Sequence, residues 1–225
     1  MRELARALQQ HLEGLRAFGV TELPVAPRDP AAANPGAAGG ESREARLARL
    51  AQDVERCRRC PLYRTRTHAV VGDGSPRARL VFVGEAPGRD EDLQGKPFVG
   101  AAGTLLTKMI EAMGLRREQV YICNVLKDRP PGNRTPLPEE MEACLPFLRE
   151  QLAVIRPQVI CALGAVASRA LLGPEVSITR IRGTVRSYEG IRLVPTFHPA
   201  YLLRNPSAKR LAWADLQTVK HLLEP

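Results

Sequence analysis

Aromatic residues are scarce in this chain, which has five Phe, four Tyr and one Trp among 225 residues. Any ring that stacks on a ligand is therefore one of very few. The chain has no apolar run near the roughly 18 residues of a membrane span, and its first residues have no signal-peptide core. It also has no Gly-x-x-x-x-Gly-Lys-Ser/Thr run, which disfavours a phosphate-cradling nucleotide enzyme. We expect a cytoplasmic protein without a membrane partner.

Acidic residues are outnumbered, since 33 Lys and Arg against 24 Asp and Glu give a formal charge of +9. This balance favours a polyanionic partner, although a basic composition alone shows only non-specific attraction to nucleic acid. Seven basic residues and one acid, Glu189, lie between positions 180 and 210. The basic residues are Arg180, Arg182, Arg186, Arg192, Arg204, Lys209 and Arg210. The stretch is either a nucleic-acid-binding face or an ordinary solvated one.

Composition divides the chain into three parts. We predict a helical extension over residues 1–23, a flexible Pro/Ala/Gly linker over 24–42 and a main domain over 43–225. The apolar pattern predicts helices over 43–56, 101–113, 138–155, 164–171 and 209–223, strands over 79–84, 119–125 and 158–163, and a hairpin around Glu189 and Gly190. Pro146 should kink or restart its helix. Strands alternating with helices indicate an α/β fold with a mostly parallel sheet.

Two polar runs follow strand-like segments. The run from Gly84 to Asp92 reads Gly-Glu-Ala-Pro-Gly-Arg-Asp-Glu-Asp and follows an apolar segment that ends at Val83. The run from His198 to Asn205 reads His-Pro-Ala-Tyr-Leu-Leu-Arg-Asn and follows a second such segment. Open α/β sheets bind ligands beyond their strand ends. Both runs should therefore lie on loops at one edge of the sheet, where we expect the active site.

Together these runs resemble the motif pair of the family 4 uracil-DNA glycosylases, and the resemblance covers roughly residues 52 to 223. It implies a three-layer α/β/α sandwich with a central, mostly parallel sheet. It also implies a monofunctional DNA repair enzyme, a monomer, that flips uracil out of single- or double-stranded DNA and hydrolyses its N-glycosidic bond. Two alternatives are a damage sensor of the same fold with weak hydrolysis and a glycosylase with broader deaminated-base specificity.

The resemblance assigns the base pocket to side chains from three segments. Phe98 matches the stacking aromatic, with core packing as the alternative. Asn124 matches the amide that reads the uracil edge, since a carboxamide offers a donor and an acceptor together. His198 matches the histidine near uracil O2, where a donor stabilises the charge that develops as the bond breaks.

In the first run, Gly84, Glu85 and Ala86 should surround the base and the attacking water. A small residue at Ala86 is characteristic of the family, whereas other relatives carry an aspartate there. Glu85 is our candidate for positioning water. Glu91 is placed to crowd the uracil C5 position and exclude thymine, or is simply a solvated acid.

In the second run, Tyr201, Leu202 and Leu203 should form an exposed apolar tip that fills the gap left by the flipped nucleotide. Arg204 should bind phosphate. The alternative is an ordinary loop packed on the core.

Cysteine spacing predicts a metal or redox site, because Cys57 and Cys60 form a Cys-x-x-Cys pair. The resemblance implies a [4Fe-4S] cluster held by this pair and Cys144, but Asp128 occupies the position of the remaining cysteine. Asp128 ligates iron through its carboxylate, or Cys123 substitutes, or the site holds a three-iron cluster or a zinc ion on the three cysteines and Asp128. Strand alternation favours a core position for Cys123.

Overall fold

The computed structural model of the protein describes residues 41–224. The predicted extension over 1–23 and nearly all of the predicted linker over 24–42 lie outside the described residues. Ser42, at the end of that linker, caps the first described helix by accepting a hydrogen bond from the Ala45 amide at 3.1 Å. Within residues 41–224, the helices are too short or too polar to cross a membrane.

The described residues form one sheet of six strands in the order β1-β3-β2-β4-β6-β5. The strands are β1 (Asp73–Gly74), β2 (Leu80–Gly84), β3 (Tyr121–Asn124), β4 (Val159–Leu163), β5 (Arg186–Tyr188) and β6 (Ile191–Thr196). The four inner strands are parallel, and the two edge strands pair antiparallel to their neighbours. The predicted mostly parallel sheet is therefore confirmed.

Helices cover both faces of the sheet. They are α1 (Arg43–Glu55), α2 (Arg89–Gln94), α3 (Ala101–Ala112), α4 (Pro138–Ile155), α5 (Gly164–Leu172), α6 (Ile178–Ile181), α7 (Pro199–Arg204) and α8 (Lys209–Leu223). In β2, Val81 and Val83 pack into the apolar cluster that contains α4 and α5, whereas Leu80 and Phe82 pack into the cluster that contains α3 and α8. Side chains of β2 thus pack alternately against helices on the two faces, so the sheet is the middle layer of a three-layer α/β/α sandwich.

Local sequence signals predicted most of these elements, and the differences have physical reasons. The hairpin between β5 and β6 turns at Glu189 and Gly190, both with positive φ. Pro146 lies inside the uninterrupted helix α4, so the expected restart is wrong. Helices α2 and α7 were expected to be loops, because each has only six residues and too few turns to show apolar periodicity.

The site lies where the strand order reverses direction. The chain leaves β2 for its neighbour β3 and then crosses to β4 on the other side of β2. A crevice opens at the carboxyl end of the strands at such a switch point. Gly84 and Asn124, the last residues of β2 and β3, are register partners there.

Candidate active site

A cavity of about 420 Å³ opens at the switch point. The predicted site residues that line it are Glu85, Ala86, Glu91, Phe98, Asn124, His198, Tyr201 and Arg204. Gly84 lies directly behind the wall that Asn124 and Phe98 form. The structure thus brings together side chains from two distant sequence motifs and the segments between them.

Asn124 is the most constrained polar residue of the cavity. Its side chain is buried at the end of β3, with 1% of the residue exposed. Its carbonyl oxygen Oδ1 has no hydrogen-bond partner, and it is the sole buried side-chain nitrogen or oxygen of residues 41–224 in this condition. Since buried polar atoms are nearly always paired in folded proteins, this acceptor is available for a ligand.

Gly84 makes room for the Asn124 amide and the Phe98 ring. A Cβ atom at Gly84 would collide with Asn124 Oδ1 and would lie 2.6 Å from Phe98 Cζ. No side chain fits there without displacing one of the two groups. The glycine is therefore required by close approach, not by its backbone angles.

Phe98 and His198 form adjoining walls of the cavity. Their ring centroids are 5.6 Å apart, with 33° between the ring planes. Phe98 has φ 53°, in the left-handed region that bulky residues seldom adopt. Such strain persists only where surrounding structure fixes the conformation. The ring is thus held at the cavity by its loop, not by simple core packing alone.

The hydrogen bonding of His198 fixes its tautomer. His198 precedes α7, and its Nδ1 accepts the Ala200 amide N–H at 3.1 Å. Burial, with the nearby Arg204 guanidinium acting in the same direction and Glu91 opposing it, lowers the pKa of the imidazole to about 4. The ring is therefore neutral at pH 7, and its proton is on Nε2. A neutral imidazole of this tautomer offers one N–H donor.

Glu91 connects two loops of the site. Its Oε2 accepts the Gly88 amide at 3.1 Å, and its Oε1 accepts the amides of Val99 and Gly100 at 2.9 and 3.0 Å. The carboxylate thus braces both the first motif and the segment that carries Phe98. This bracing was not predicted, since it pairs Glu91 with amides eight and nine residues away.

Asp92 in the first polar run and Arg182 in the basic stretch are both paired inside the fold. Asp92 is 3% exposed and accepts hydrogen bonds from the amide and hydroxyl of Thr67. Arg182 donates to both carboxylate oxygens of the buried Asp215. Arg182 is therefore not one of the basic groups available to phosphate.

Glu85 lies at the cavity in a desolvated position. Burial raises the pKa of its carboxyl above the ordinary value of 4.5, and burial is the only cause of the shift. Its backbone carbonyl accepts the Leu126 amide at 3.0 Å, which fixes the start of the loop against the segment after β3. The neighbouring Ala86 adds no carboxylate of its own to the cavity wall.

The predicted apolar tip is only partly exposed. Tyr201 and Leu203 are 39% and 42% exposed, but Leu202 is 1% exposed and belongs to the apolar core. The expectation that Leu202 is displayed is wrong. The run forms helix α7, and successive helical residues point about 100° apart, so consecutive side chains cannot share one face.

The loop after β3 adds residues that the sequence interpretation did not assign to the pocket. Pro130, Asn133 and Arg134 line the cavity. The Arg134 guanidinium is held by the buried Glu140 carboxylate through bonds of 2.9 and 2.6 Å. Their Arg-Pro-Pro-Gly-Asn-Arg context was visible in the sequence, but it was considered only as a neighbour of the cysteine site.

Cys57 and Cys60 lie near Asp128, but Asp128, the expected fourth ligand, is not free to bind a cluster. All five cysteines are free. Burial raises the pKa of Cys60, with Asp128 and Cys57 contributing in the same direction, so these groups are neighbours. The Asp128 carboxylate, however, is bound by the Arg66 guanidinium. Within residues 41–224, no three His, Cys, Asp or Glu side chains are grouped closely enough to hold a metal ion.

Comparisons with known proteins agree with the fold. A family model described as the uracil DNA glycosylase superfamily matches residues 71–217. The chain is 50% identical over 175 residues to the type-4 uracil-DNA glycosylase of Thermotoga maritima, a match covering 76% of this chain and 91% of that protein. The corresponding protein of Archaeoglobus fulgidus is 46% identical over 178 residues, covering 76% and 89%.

A third relative, the type-4 uracil-DNA glycosylase of Sulfurisphaera tokodaii, is 44% identical over 181 residues, which cover 76% of this chain and 81% of that protein. The chain therefore belongs to the uracil-DNA glycosylase superfamily, and within it to the type-4 family.

The unpaired Asn124 oxygen predicts an unusual response to mutation. Replacing Asn124 by Leu, a side chain of similar shape, removes an unsatisfied buried acceptor and should raise the free energy of unfolding by about 1 kcal/mol. Urea denaturation of the two proteins measures the difference. The matched control is Gln151→Leu, which should destabilise, because it leaves the buried Lys127 ammonium without the Oε1 that it now contacts at 2.6 Å. If Asn124→Leu lost as much stability as Gln151→Leu, the interpretation that Asn124 Oδ1 has no hydrogen-bond partner would be contradicted.

Proposed function

We propose that this protein excises uracil from DNA by drawing the nucleotide into the cavity and hydrolysing its N-glycosidic bond, which leaves an abasic site. The observation that carries the proposal is the buried, unpartnered Oδ1 of Asn124 at a cavity lined by Phe98 and the neutral His198. The relatives named type-4 uracil-DNA glycosylases support the same activity. A base stacked within a duplex cannot reach such a cavity, so the nucleotide must leave the helix.

Recognition of uracil follows from the Asn124 amide. Its Oδ1 accepts the N3–H of uracil, and its Nδ2 donates to O4. Cytosine has an unprotonated N3 and an amino group at position 4, so both bonds would be mismatched. Phe98 supplies the face on which the pyrimidine stacks. Glu91, which braces the adjoining loops, limits the space beside C5.

Cleavage is assisted by His198. As the glycosidic bond breaks, negative charge develops on the uracil ring, including O2. The neutral imidazole donates its Nε2–H toward that oxygen without first losing or gaining a proton. Because the ring is fixed by its bond to the Ala200 amide, the donor is preorganised before the charge appears.

Glu85 positions the attacking water. Its carboxylate lies at the cavity in the desolvated first motif. An ionised Glu85 accepts a hydrogen bond from water and orients it toward the sugar carbon that the base leaves. The small Ala86 beside it leaves space for that water.

A lysine nucleophile plays no part in this chemistry. The nearby Lys127 is buried, and its ammonium donates to the Asn124 carbonyl at 2.7 Å and to Gln151 at 2.6 Å. It is directed away from the cavity and is not among the lining residues. Hydrolysis without a Schiff base leaves the DNA strand intact, as a monofunctional glycosylase does.

DNA binds across the rim of the cavity. We assign Arg204 to phosphate, since it is exposed and lines the opening. Leu203 and Tyr201 are the exposed apolar residues that can fill the gap left by the flipped nucleotide. The protein is proposed to act as a monomer on single- or double-stranded DNA. The five free cysteines favour a reducing, cytoplasmic location.

We also propose that Cys57, Cys60 and Cys144 hold an iron–sulfur cluster, whose binding would draw together three thiols that are not closely grouped in this structure. Thiolates are the side chains that such clusters prefer. When bound, the cluster would act as a structural connection between the segments that carry these cysteines. It takes no part in hydrolysis, because the cavity contains none of the three residues.

Incubation with labelled oligonucleotides tests the activity. Matched single- and double-stranded substrates carry one uracil, cytosine or thymine at the same position, and alkali-sensitive breaks are scored. We expect breaks at uracil alone. Tight binding without breaks would instead identify a damage sensor, and breaks at other deaminated bases would identify a broader glycosylase.

Removal of the His198 imidazole should slow chemistry without weakening binding. We expect His198→Ala to lower the single-turnover rate of uracil excision about 10²- to 10³-fold, because a donor to developing charge is lost. Affinity for uracil DNA should change little. The control His221→Ala removes an exposed imidazole on α8 and should match the unmodified protein. An unchanged rate in His198→Ala would remove His198 from the mechanism.

The pH dependence of uracil excision distinguishes the role of Glu85 from that of His198. Excision requires ionised Glu85 and neutral His198. Burial raises the pKa of Glu85 above 4.5 and lowers that of His198 from 6.5 to about 4. As the pH falls, Glu85 is protonated first, so in Glu85→Gln the acidic decline in single-turnover rate should move to lower pH, where His198 is protonated. Glu111→Gln, an exposed control, should retain it. Persistence of the same decline in Glu85→Gln would contradict this role of Glu85.

Arg204 should contribute a non-specific phosphate contact. Arg204→Ala should weaken binding of uracil-free duplex and reduce the slope of log affinity against log salt by about 1. Fluorescence anisotropy at several salt concentrations measures the slope. Arg77→Ala is the control, since Arg77 is exposed before the amino end of β2, away from the cavity edge. Equal slopes for the two variants would contradict the phosphate contact.

A further inference from the structure

Asp128 occupies the position where the motif leads us to expect a cysteine ligand, and its carboxylate is already bound. Arg66 Nη1 lies 2.9 Å from Oδ1 and 3.1 Å from Oδ2 of Asp128. The two side chains are 11% and 5% exposed. This is a buried ion pair, unlike the exposed pair of Arg77 with Glu44, whose side chains are 75% and 52% exposed.

Arg66 is also fixed from its other side. Its guanidinium donates to the backbone carbonyl of Val54 at 3.3 Å and to that of Glu55. These carbonyls belong to the last turn of α1, where Val54 also accepts the Cys57 amide at 3.0 Å. Movement of Arg66 away from Asp128 would therefore also break its bonds to the end of α1.

The ion pair connects the segments that a cluster would connect. Arg66 follows Cys60 by one short 3₁₀ turn, Pro61–Arg64. Asp128 begins the loop after β3, and a backbone hydrogen bond from its neighbour Lys127 reaches Cys144. The Cys-x-x-Cys segment, the end of α1 and the loop after β3 are thus tied together by Arg66 and Asp128.

Iron coordination by Asp128 would conflict with this arrangement. Both carboxylate oxygens face the guanidinium, so an iron ion bound to either would lie close to a second, fixed positive charge. Carboxylate is in addition a harder donor than the thiolates that iron–sulfur clusters prefer. The ion pair and the iron–oxygen bond compete for the same oxygen atoms.

We propose that Asp128 is not a metal ligand, and that the Arg66–Asp128 ion pair replaces the fourth protein–cluster bond, leaving Cys57, Cys60 and Cys144 as a three-thiol site. The inference rests on the proposed cluster and not on uracil excision. Only one substitution, at position 128, separates this site from a four-cysteine site.

Metal analysis of the full-length chain tests the ligand assignment. Wild-type protein, Asp128→Ala, Arg66→Ala and Asp128→Cys are purified and reconstituted with iron and sulfide under anaerobic conditions, and iron per chain is measured after passage over a chelator. We expect equal iron in wild type and Asp128→Ala, and about one additional iron retained in Asp128→Cys.

The failures of this experiment are distinguishable. Lower iron in Asp128→Ala than in both wild type and Arg66→Ala, which loses the same ion pair, would make Asp128 a ligand and overturn the inference while keeping the cluster. No iron in any of these proteins would overturn both the three-thiol site and the proposed cluster. Neither outcome bears on the proposed excision of uracil, because excision is measured in a separate experiment.

Stability measurements test the ion pair without reference to iron content. Arg66→Ala and Asp128→Ala should each lower Tm by several degrees, and the double variant should lower it by much less than the sum, because removing one partner leaves the other buried and unpaired. The exposed control pair, Arg77→Ala and Glu44→Ala, should show little change. The proposal that this ion pair replaces a protein–cluster bond would be overturned if the Tm losses of Arg66→Ala and Asp128→Ala added up in the double variant, or if neither variant lowered Tm.

Discussion

The carbonyl oxygen of the Asn124 side chain is held in the protein interior without a hydrogen-bond partner among residues 41–224. An unpaired buried acceptor of this kind costs about 1–3 kcal/mol of stability. The N3–H of uracil can satisfy it, whereas the bare N3 of cytosine cannot. In the proposed function, the same atom lowers the stability of the free protein and selects the base, which is a common compromise at functional sites.

Several parts of the fold hold this oxygen in place. The register of β2 and β3 sets Gly84 beside Asn124, where a larger residue would displace the amide. The buried Lys127 ammonium binds the Asn124 backbone carbonyl and is itself satisfied by Gln151 on α4. The Asn124 residue is thus fixed by the sheet on one side and by α4 of the outer layer on the other. Its amide would therefore need little reorganisation to bind a base.

The sequence predicted the inner strands, the main helices and eight of the residues that line the cavity, because these follow local periodicity and strand-end motifs. It did not predict pairings between distant positions. Arg66 and Asp128 are 62 residues apart, and Arg182 and Asp215 are 33 apart. No local pattern encodes such partners. The burial of Leu202 was missed for a related reason, since a six-residue helix such as α7 is too short to show its apolar face.

The proposed mechanism also depends on electrostatics, because it requires a neutral His198 and an ionised Glu85 in one cavity, with the base stacked on Phe98 and bound to Asn124. A crystal structure of the protein with free uracil tests this arrangement most directly. We predict that the ring stacks on Phe98, that its N3–H donates to Asn124 Oδ1, and that O2 lies within hydrogen-bond distance of His198 Nε2. Uracil bound outside the cavity, or bound within it while Asn124 Oδ1 remains unpaired, would contradict the account.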